Sequence, residues 1–514
     1  MYLRGKDTAT SIIKSSGSVQ YYGHYVITER LKITNGSGNP YVEVVMDPPI
    51  NGTTGHLHHL TLRDCKIAGS FTIGHYQPIS NYCHNIVAYR NEVYGNFDCN
   101  GVKRTEPNET SGIAFEGNCQ YVWVLENEIH HFPEDLTGGA HAANYTAHHL
   151  YVGRNTLHHS GSQAFMTKEA SHVVFSQNIV YHFHGENYDT EGTGVVIHYG
   201  PDKATRNVWI LFNTFSDITY AAIQIGGAVS SPTYLIGNIV YNVRNAAKEG
   251  CGIVSWHCDG LVNCVNNTIY DCDVGIACLG ASHFNIENNI FACIRYNYLQ
   301  IESGDFKASN VSNNIYFSHT APAFACGDIR TYAQLVAAKG AAGSSMQWPG
   351  FADTAAKNFT IIEKSPAVGN GKVSTVYATF LDSIPEGGSI AADYLGRIRQ
   401  TESWDIGAFQ YSDSKTINKQ GFHERQFNDL FHVFRNVDRL TVVNNSTASF
   451  DFLLSLIELN GRTLGKKRGL IRPGPNSLHF ANKNNSGGIF RTGTYLMRFE
   501  NDNAVFSRKL SIVN

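Results

Sequence analysis

The chain has 514 residues, of which 42% are hydrophobic and only 16% charged, with 48 Gly, 23 His and a formal net charge of −3. This balance gives no basic footprint for a nucleic-acid partner, and no stretch is apolar for long enough to span a membrane. The length exceeds that of one ordinary compact domain, a limit that a repeat architecture relaxes because each repeat buries its face against its neighbours.

The opening residues, MYLRGKDTATSIIKSSG, have no basic region followed by an apolar run, so they do not read as a signal peptide. They look like the middle of a first repeat, and the natural N-terminus is expected to lie upstream. One pattern then recurs: apolar–polar alternation, an Asn, and two or three apolar or aromatic residues. It reads HHLTLRDCKI (58–67), HNIVAYRNEV (84–93), YVWVLENEI (121–129), HHLYVGRNTL (148–157), HVVFSQNIV (172–180), NVWILFNTF (207–215), TYLIGNIV (233–240), LVNCVNNTI (261–269), HFNIENNIF (283–291) and SNVSNNIYF (309–317). The Asn residues are Asn91, Asn127, Asn155, Asn178, Asn213, Asn238, Asn267, Asn289 and Asn314, with Asp64 in the first slot and Asn35 ahead of it. Gaps of 22 to 36 residues mark a solenoid. The period-2 alternation makes its unit a strand. Asn tolerates the left-handed backbone of a tight corner, and stacked amides can satisfy one another. The expectation is an all-β parallel β-helix with these Asn side chains in one column.

This pattern resembles the right-handed β-helix family that includes pectate, alginate and chondroitin lyases and several glycosidases, over roughly residues 20–320. The resemblance implies a solenoid fold and a carbohydrate substrate, and leaves the reaction open.

Aligning repeats on the Asn brings a second strand into register: GIAFEG (112–117), AHAANY (140–145), QAFMTK (163–168), GVVIHY (194–199), AIQIGG (222–227), GIVSWH (252–257) and GIACLG (275–280). Alternation sends Ile113/Phe115, Ala164/Met166, Val195/Ile197 and Ile223/Ile225 inward. It leaves outward or at strand ends Glu116, Asn144, Tyr145, Thr167, Lys168, His198, Tyr199, Gly226, Gly227, Trp256 and His257. Such a stripe suits an extended sugar polymer, with Trp256 as a stacking platform and Asn144, Tyr188, Gln224 and His257 as further binding groups. The repeat between Asn178 and Asn213 is 35 residues long and carries HGENYDTEG (184–192), which brings His184, Glu186, Asp189, Glu191 and Asp202 beside the stripe. An insertion on one face of a solenoid is where binding loops collect.

β-Elimination from a uronate needs carboxylate neutralisation, a base and an acid. Lys168, His198, Tyr199 and Tyr145 supply the base and acid, and the acidic loop is a site for Ca²⁺. MTKEASHVVFSQN (166–178) resembles the Lys-bearing repeat of alginate and chondroitin B lyases, but VIHYG (196–200) lacks the Arg that family carries there. Hydrolysis instead needs paired carboxylates, for which Glu116, Asp189, Glu191 and Asp202 are candidates. A third reading is a noncatalytic adhesin that only binds glycan. Against the chemical reading, Lys168-Glu169 also reads as a solvated corner. His130/His131, His158/His159 and His182 read as a structural ladder, no carboxylate or Cys being seen to complete a metal set.

The eleven Cys lie between Cys65 and Cys326. Most are expected as small buried apolar residues; Cys272 and Cys293 are the pair best spaced for a bridge. After Asn314 the rhythm stops. Residues 329–338 read as a helix, and SPAVGNG (365–371), DYLGRIR (393–399) and DIGAF (405–409) resemble the closing segment of secreted bacterial β-helix proteins. The β-helix with this cap is assigned to 1–411, the cap itself to about 320–411, and a polar linker to 412–420. Residues 421–514 alternate again as a small β-sandwich. LNGRTL (459–464), TGTYLMRF (492–499) and RKLSIV (508–513) resemble the sorting domain of type IX secretion cargo from Bacteroidetes-like bacteria. From 413 onward there are 15 Lys and Arg against 8 Asp and Glu, so the remainder carries about −10. The reading is a monomeric, secreted or cell-surface protein with a polysaccharide substrate, whose C-terminal unit meets the secretion machinery.

Overall fold

The computed structural model describes residues 1–36, 42–46, 56–74, 82–96, 111–139, 147–185, 192–198, 205–227, 229, 231–280, 283–340, 343–384, 389–399 and 402–411, and the backbone of strands between 431 and 512. Each coil is three short strands. In the coil of Asn155 they are His148–Gly153, Thr156–Ser160 and Gln163–Lys168. In the next they are Ser171–Ser176, Ile179–Phe183 and Thr193–His198. Each strand pairs in parallel with its counterpart one coil away, as in Leu150↔Val173, Leu157↔Val180 and Phe165↔Val195. The result is a parallel β-helix with three faces: A before the Asn corner, B after it, and C third. Face A is a 12-stranded sheet. Strand Lys66–Ile73 runs through both B and C.

Alternation dictates the core. Val122, Val124, Leu150 and Val152 point inward from face A, Ile129, Leu157, Val180 and Phe215 from face B, and Phe165, Val195, Ile223 and Ile253 from face C, all buried. Each such side chain contributes roughly 1.5–3 kcal/mol of burial. One strand differs from the sequence expectation. Phe165 and Thr167 pair with Val195 and Ile197, so they face inward and Met166 faces outward with Lys168. Two small residues, Ala164 and Thr167, hide that phase in the sequence.

The Asn column runs from Asn91 to Asn314. Asn155 donates to Asn178 Oδ1 from both its backbone N–H (2.9 Å) and its amide (3.0 Å), and the amide also donates to Val124 O (2.9 Å). The same triad of bonds links Asn178 to Asn213 and Asn213 to Asn238. Backbone strain is not the reason for Asn. The left-handed residue is the one before it, such as Arg154 (φ 56), Gln177 (φ 57) and Phe212 (φ 55). The amide is selected because it donates and accepts inside a buried corner. The first slot belongs to Cys65, whose N–H donates to Asn91 Oδ1 (3.0 Å). Asp64 instead occupies the left-handed position (φ 54) and pairs with Arg90 (2.9 Å). Asn35 is not in the column either, since Lys66 N–H donates to Leu31 O.

Cys65, Cys119, Cys251, Cys264, Cys272, Cys293 and Cys326 are free thiols, and all ten described Cys but Cys293 are buried; Cys99 lies outside the described residues. Cys272 and Cys293 do not bridge. Asp271 N–H donates to Ala292 O, which sets Asp271 beside Cys293, while Cys272 points into the core one position later.

Helix Tyr332–Lys339 has a Thr331–Gln334 capping box and a left-handed Gly340 at its end. Its Leu335 joins the core of the last coil. The chain then turns back along the A–B edge. Phe351, Phe359, Ile406 and Ala408 pack on Ile239, Ile290 and Ile315, and Tyr377, Phe380 and Trp404 on Trp209, Leu211, Ile236 and Val265. The closing segment is therefore a strap over the Asn corners as well as a cap, because several outward residues there are apolar. Arg399 donates to Asp405 O and Gly407 O, the carbonyls that Asn266 also bonds.

The chain divides into Met1–Tyr411 and Ser412–Asn514. The second unit has two antiparallel sheets. One contains Phe431–Asn436, Arg439–Asn444 and Gly474–His479; the other contains Thr463–Ile471, Phe450–Glu458, Gly493–Asn501 and Ala504–Ile512. Among the described residues no helix is long and apolar enough to cross a membrane.

Candidate functional site

The outer side of face C carries one row of chemically capable residues. Lys168 pairs with His198 across adjacent strands, Gly226 with Trp256, and Trp256 with Leu279. The pairs Val196↔Gln224 and Ile197↔Ile225 put Gly226 beside His198. A Cβ built on Gly226 would stand 3.3 Å from His198 Cδ2, so the glycine makes room for the imidazole. Four strands at about 4.8 Å spacing give this row a length of roughly 14 Å.

The corner after Lys168 is not a solvated one. Glu169 is buried and left-handed (φ 61). Its N–H donates to Thr205 Oγ1 (2.8 Å), and the Thr205 hydroxyl donates in turn to His198 O. Buried Thr205 therefore ties the backbone at the end of one strand to the backbone at the end of the next. Nothing in the sequence pattern marks Thr205 or Glu169, because each sits at a break in the alternation.

Gln224 lies two residues before Gly226 in an otherwise apolar row with Val196 and Val254. Trp256 is half-buried, packs edge-on against Tyr220 (centroids 6.2 Å apart), and its Nε1 is buried with no acceptor among the described residues. His257 is exposed and turns away along the axis: a Cβ on Gly280 would stand 2.4 Å from its ring, so His257 does not share the His198 row. Glu116 follows Phe115, whose partner is Gly139, itself the partner of Thr167. That register sets Glu116 in the row of Lys168, two strands and about 10 Å away. Asn144, Tyr145, Tyr188, Asp189, Glu191, Tyr199 and Asp202 lie outside the described residues, as does most of the loop considered for Ca²⁺.

Face B carries a second cluster. Rings stack in the order Tyr94, His130, His158, Tyr181, with the two His centroids 4.8 Å apart. A parallel file holds His131, His159 and His182. Burial lowers His130 to about 4 and His158 to about 3, so both are neutral at pH 7. The expectation that no carboxylate completes the set is wrong. Glu128 stands by His130 and His158, and Asp217 by His182 and His184. In the sequence Glu128 stands two residues before His130, whereas Asp217 lies one coil downstream and becomes a neighbour of His182 once the register is fixed.

A family model described as a right handed β-helix region matches residues 50–240, and the fold is accordingly a right-handed parallel β-helix. The chain has 12% identity to the Azotobacter vinelandii mannuronan C-5 epimerase AlgE6 A-module, with a TM-score of 0.33, covering 66% of this chain and 90% of that one. Bacteriophage phi29 gene product 12, in its pre-mature form, matches at 11% identity and a TM-score of 0.26, covering 57% of this chain and 50% of the other. The enzymatically active domain of bacteriophage CBA120 tailspike protein 2 matches at 9% identity and a TM-score of 0.25, covering 96% and 72%. A comparison with curated protein sequences finds no match.

Proposed function

We propose that face C is the working surface of a carbohydrate-active protein that cleaves an acidic, uronate-containing glycan by β-elimination. The observation that carries this reading is the register pair Lys168–His198, held by Thr205 and opened on one side by Gly226. A base and a cation side by side on an outward strand row are what elimination requires. In this reading His198 takes the proton α to the uronate carboxylate and Lys168 neutralises the charge that develops there. The bond to the leaving oxygen then breaks, a carbon–carbon double bond forms in the new terminal sugar, and an acid returns a proton to the leaving oxygen. Tyr145 and Tyr199 are the proposed acids. Gln224 and Trp256 bind the chain, Trp256 as a stacking platform.

Glu116 in the same row favours a second reading, hydrolysis by paired carboxylates. One experiment separates the two. A panel of uronate and neutral glycans is incubated with the protein, and near-ultraviolet absorbance and new reducing ends are both followed. Elimination gives both signals, hydrolysis gives reducing ends alone, and a binding-only adhesin gives neither. The 421–514 unit is proposed as a separately acting sorting sandwich of a secreted protein, which secretion of a fused reporter through that unit tests.

A further inference from the structure

Asp217 and His182 sit side by side on adjacent strands, since their neighbours pair as Tyr181↔Ser216 and Phe183↔Ile218. Both are left-handed, with φ 54 and 62, which turns their side chains to the same outer side of face B. His184 follows one inward residue later and reaches the same carboxylate. His182 Nδ1 lies 2.9 Å from Asp217 Oδ2, and His184 Nε2 lies 3.1 Å from Asp217 Oδ1. The two imidazole centroids are 4.2 Å apart. All three donor atoms lie within 4.8 Å of one another.

We propose that His182, His184 and Asp217 form a binding site for a borderline divalent transition-metal ion, of which Zn²⁺ is the representative. The donor set decides the class. Two imidazoles and one carboxylate suit zinc and its neighbours, whereas Ca²⁺ and Mg²⁺ take oxygen ligands. The spacing agrees: bonds of roughly 2.0–2.1 Å in a tetrahedron put neighbouring donors about 3.3 Å apart, close to the two His–Asp separations. Three protein ligands leave one position for water or a further ligand. Asn242 Nδ2, 3.5 Å from Asp217 Oδ1, and the His159 ring, with its centroid 4.3 Å from that of His182, hold the donors from the flanks. The site stands on a different face from Lys168 and His198 and is independent of the glycan reading.

The test is zinc titration of the full chain by calorimetry, with Co²⁺ absorption as a second probe and the thermal transition measured with and without zinc. The wild type is expected to take up one equivalent at this site, show a ligand-field spectrum with Co²⁺, and gain thermal stability with zinc. Asp217→Asn and His184→Gln should each lose that equivalent, weakening affinity beyond the roughly 10–100-fold that loss of a supporting group costs. Their metal-free transitions report folding, and Glu128→Gln in the neighbouring cluster should leave this equivalent in place. Absence of zinc uptake by the wild type, or wild-type affinity and stoichiometry in both folded variants, would overturn the proposal.

Discussion

The imidazole of His198 lies over Gly226, so close that a Cβ on the glycine would stand 3.3 Å from its Cδ2. The glycine is not needed for backbone freedom, since Gly226 is absent from the left-handed positions. Its role is to leave space beside the His198 ring. Gly226→Val should therefore keep the fold and displace His198. Turnover on a cleavable glycan should fall by at least about tenfold, with the thermal transition shifted by no more than a few degrees. Wild-type turnover in a folded Gly226→Val protein would remove His198 from the site.

Thr205 acts through its neighbours and touches no substrate in this account. Thr205→Val keeps its volume and removes the hydroxyl that joins Glu169 N–H to His198 O. The expected result is a loss in kcat with a changed pH profile, because the base is no longer held. Thr205→Ser should restore most of it. An equal loss in Val and Ser variants would reduce Thr205 to a packing residue.

The Asn column makes a stability prediction. Asn178→Ala deprives Asn155 of its acceptor and Val152 O of its donor in a buried corner. Each orphaned group costs about 1–3 kcal/mol, so a loss of roughly 2–5 kcal/mol is expected in chemical unfolding. Asn178→Asp keeps the acceptor and loses the donor, and should also destabilise. A neutral Asn178→Ala would mean that the column is decorative.

The column was legible in the sequence because one residue type recurs at one place in each coil. The phase of face A was legible for the same reason: Val122, Leu150 and Val173 repeat without interruption. Face C was half legible. Lys168, His198 and Trp256 share a row as expected, yet Met166 and Thr167 were assigned to the wrong sides because small residues blur the alternation. The Asp217 carboxylate was missed because its relation to His182 is one of register between coils, and no local spacing encodes it. Cys65 displaced Asp64 for a similar reason: a backbone N–H fills the slot, and any residue supplies one.

The histidines predict a pH dependence. His130 and His148 are held down to about 4 and His158 to about 3, chiefly by burial. Between those values and the unfolded value of about 6.5 the unfolded chain binds more protons. Stability should therefore be full above about pH 6.5 and fall as the pH drops toward 4. The midpoint of thermal unfolding against pH should show this slope, and His148→Gln should flatten part of it. A midpoint unchanged from pH 7 to 4.5 would contradict the burial of these rings.

Removal of residues 412–514 should leave the thermal transition of Met1–Tyr411 and its glycan activity nearly unchanged, since the two units have separate sheets. Loss of folding in the truncated protein would make the C-terminal unit a structural cap.

If Lys168 and His198 act together on an acidic glycan, the absorbance of unsaturated product reports it. The wild type should generate it from at least one uronate polymer. Lys168→Ala and His198→Ala should each lower the rate by about a hundredfold or more, and the double variant should fall no further than the worse single one, as for groups that act as a unit. New reducing ends without absorbance, or full activity in the double variant, would contradict the account and move the chemistry to Glu116.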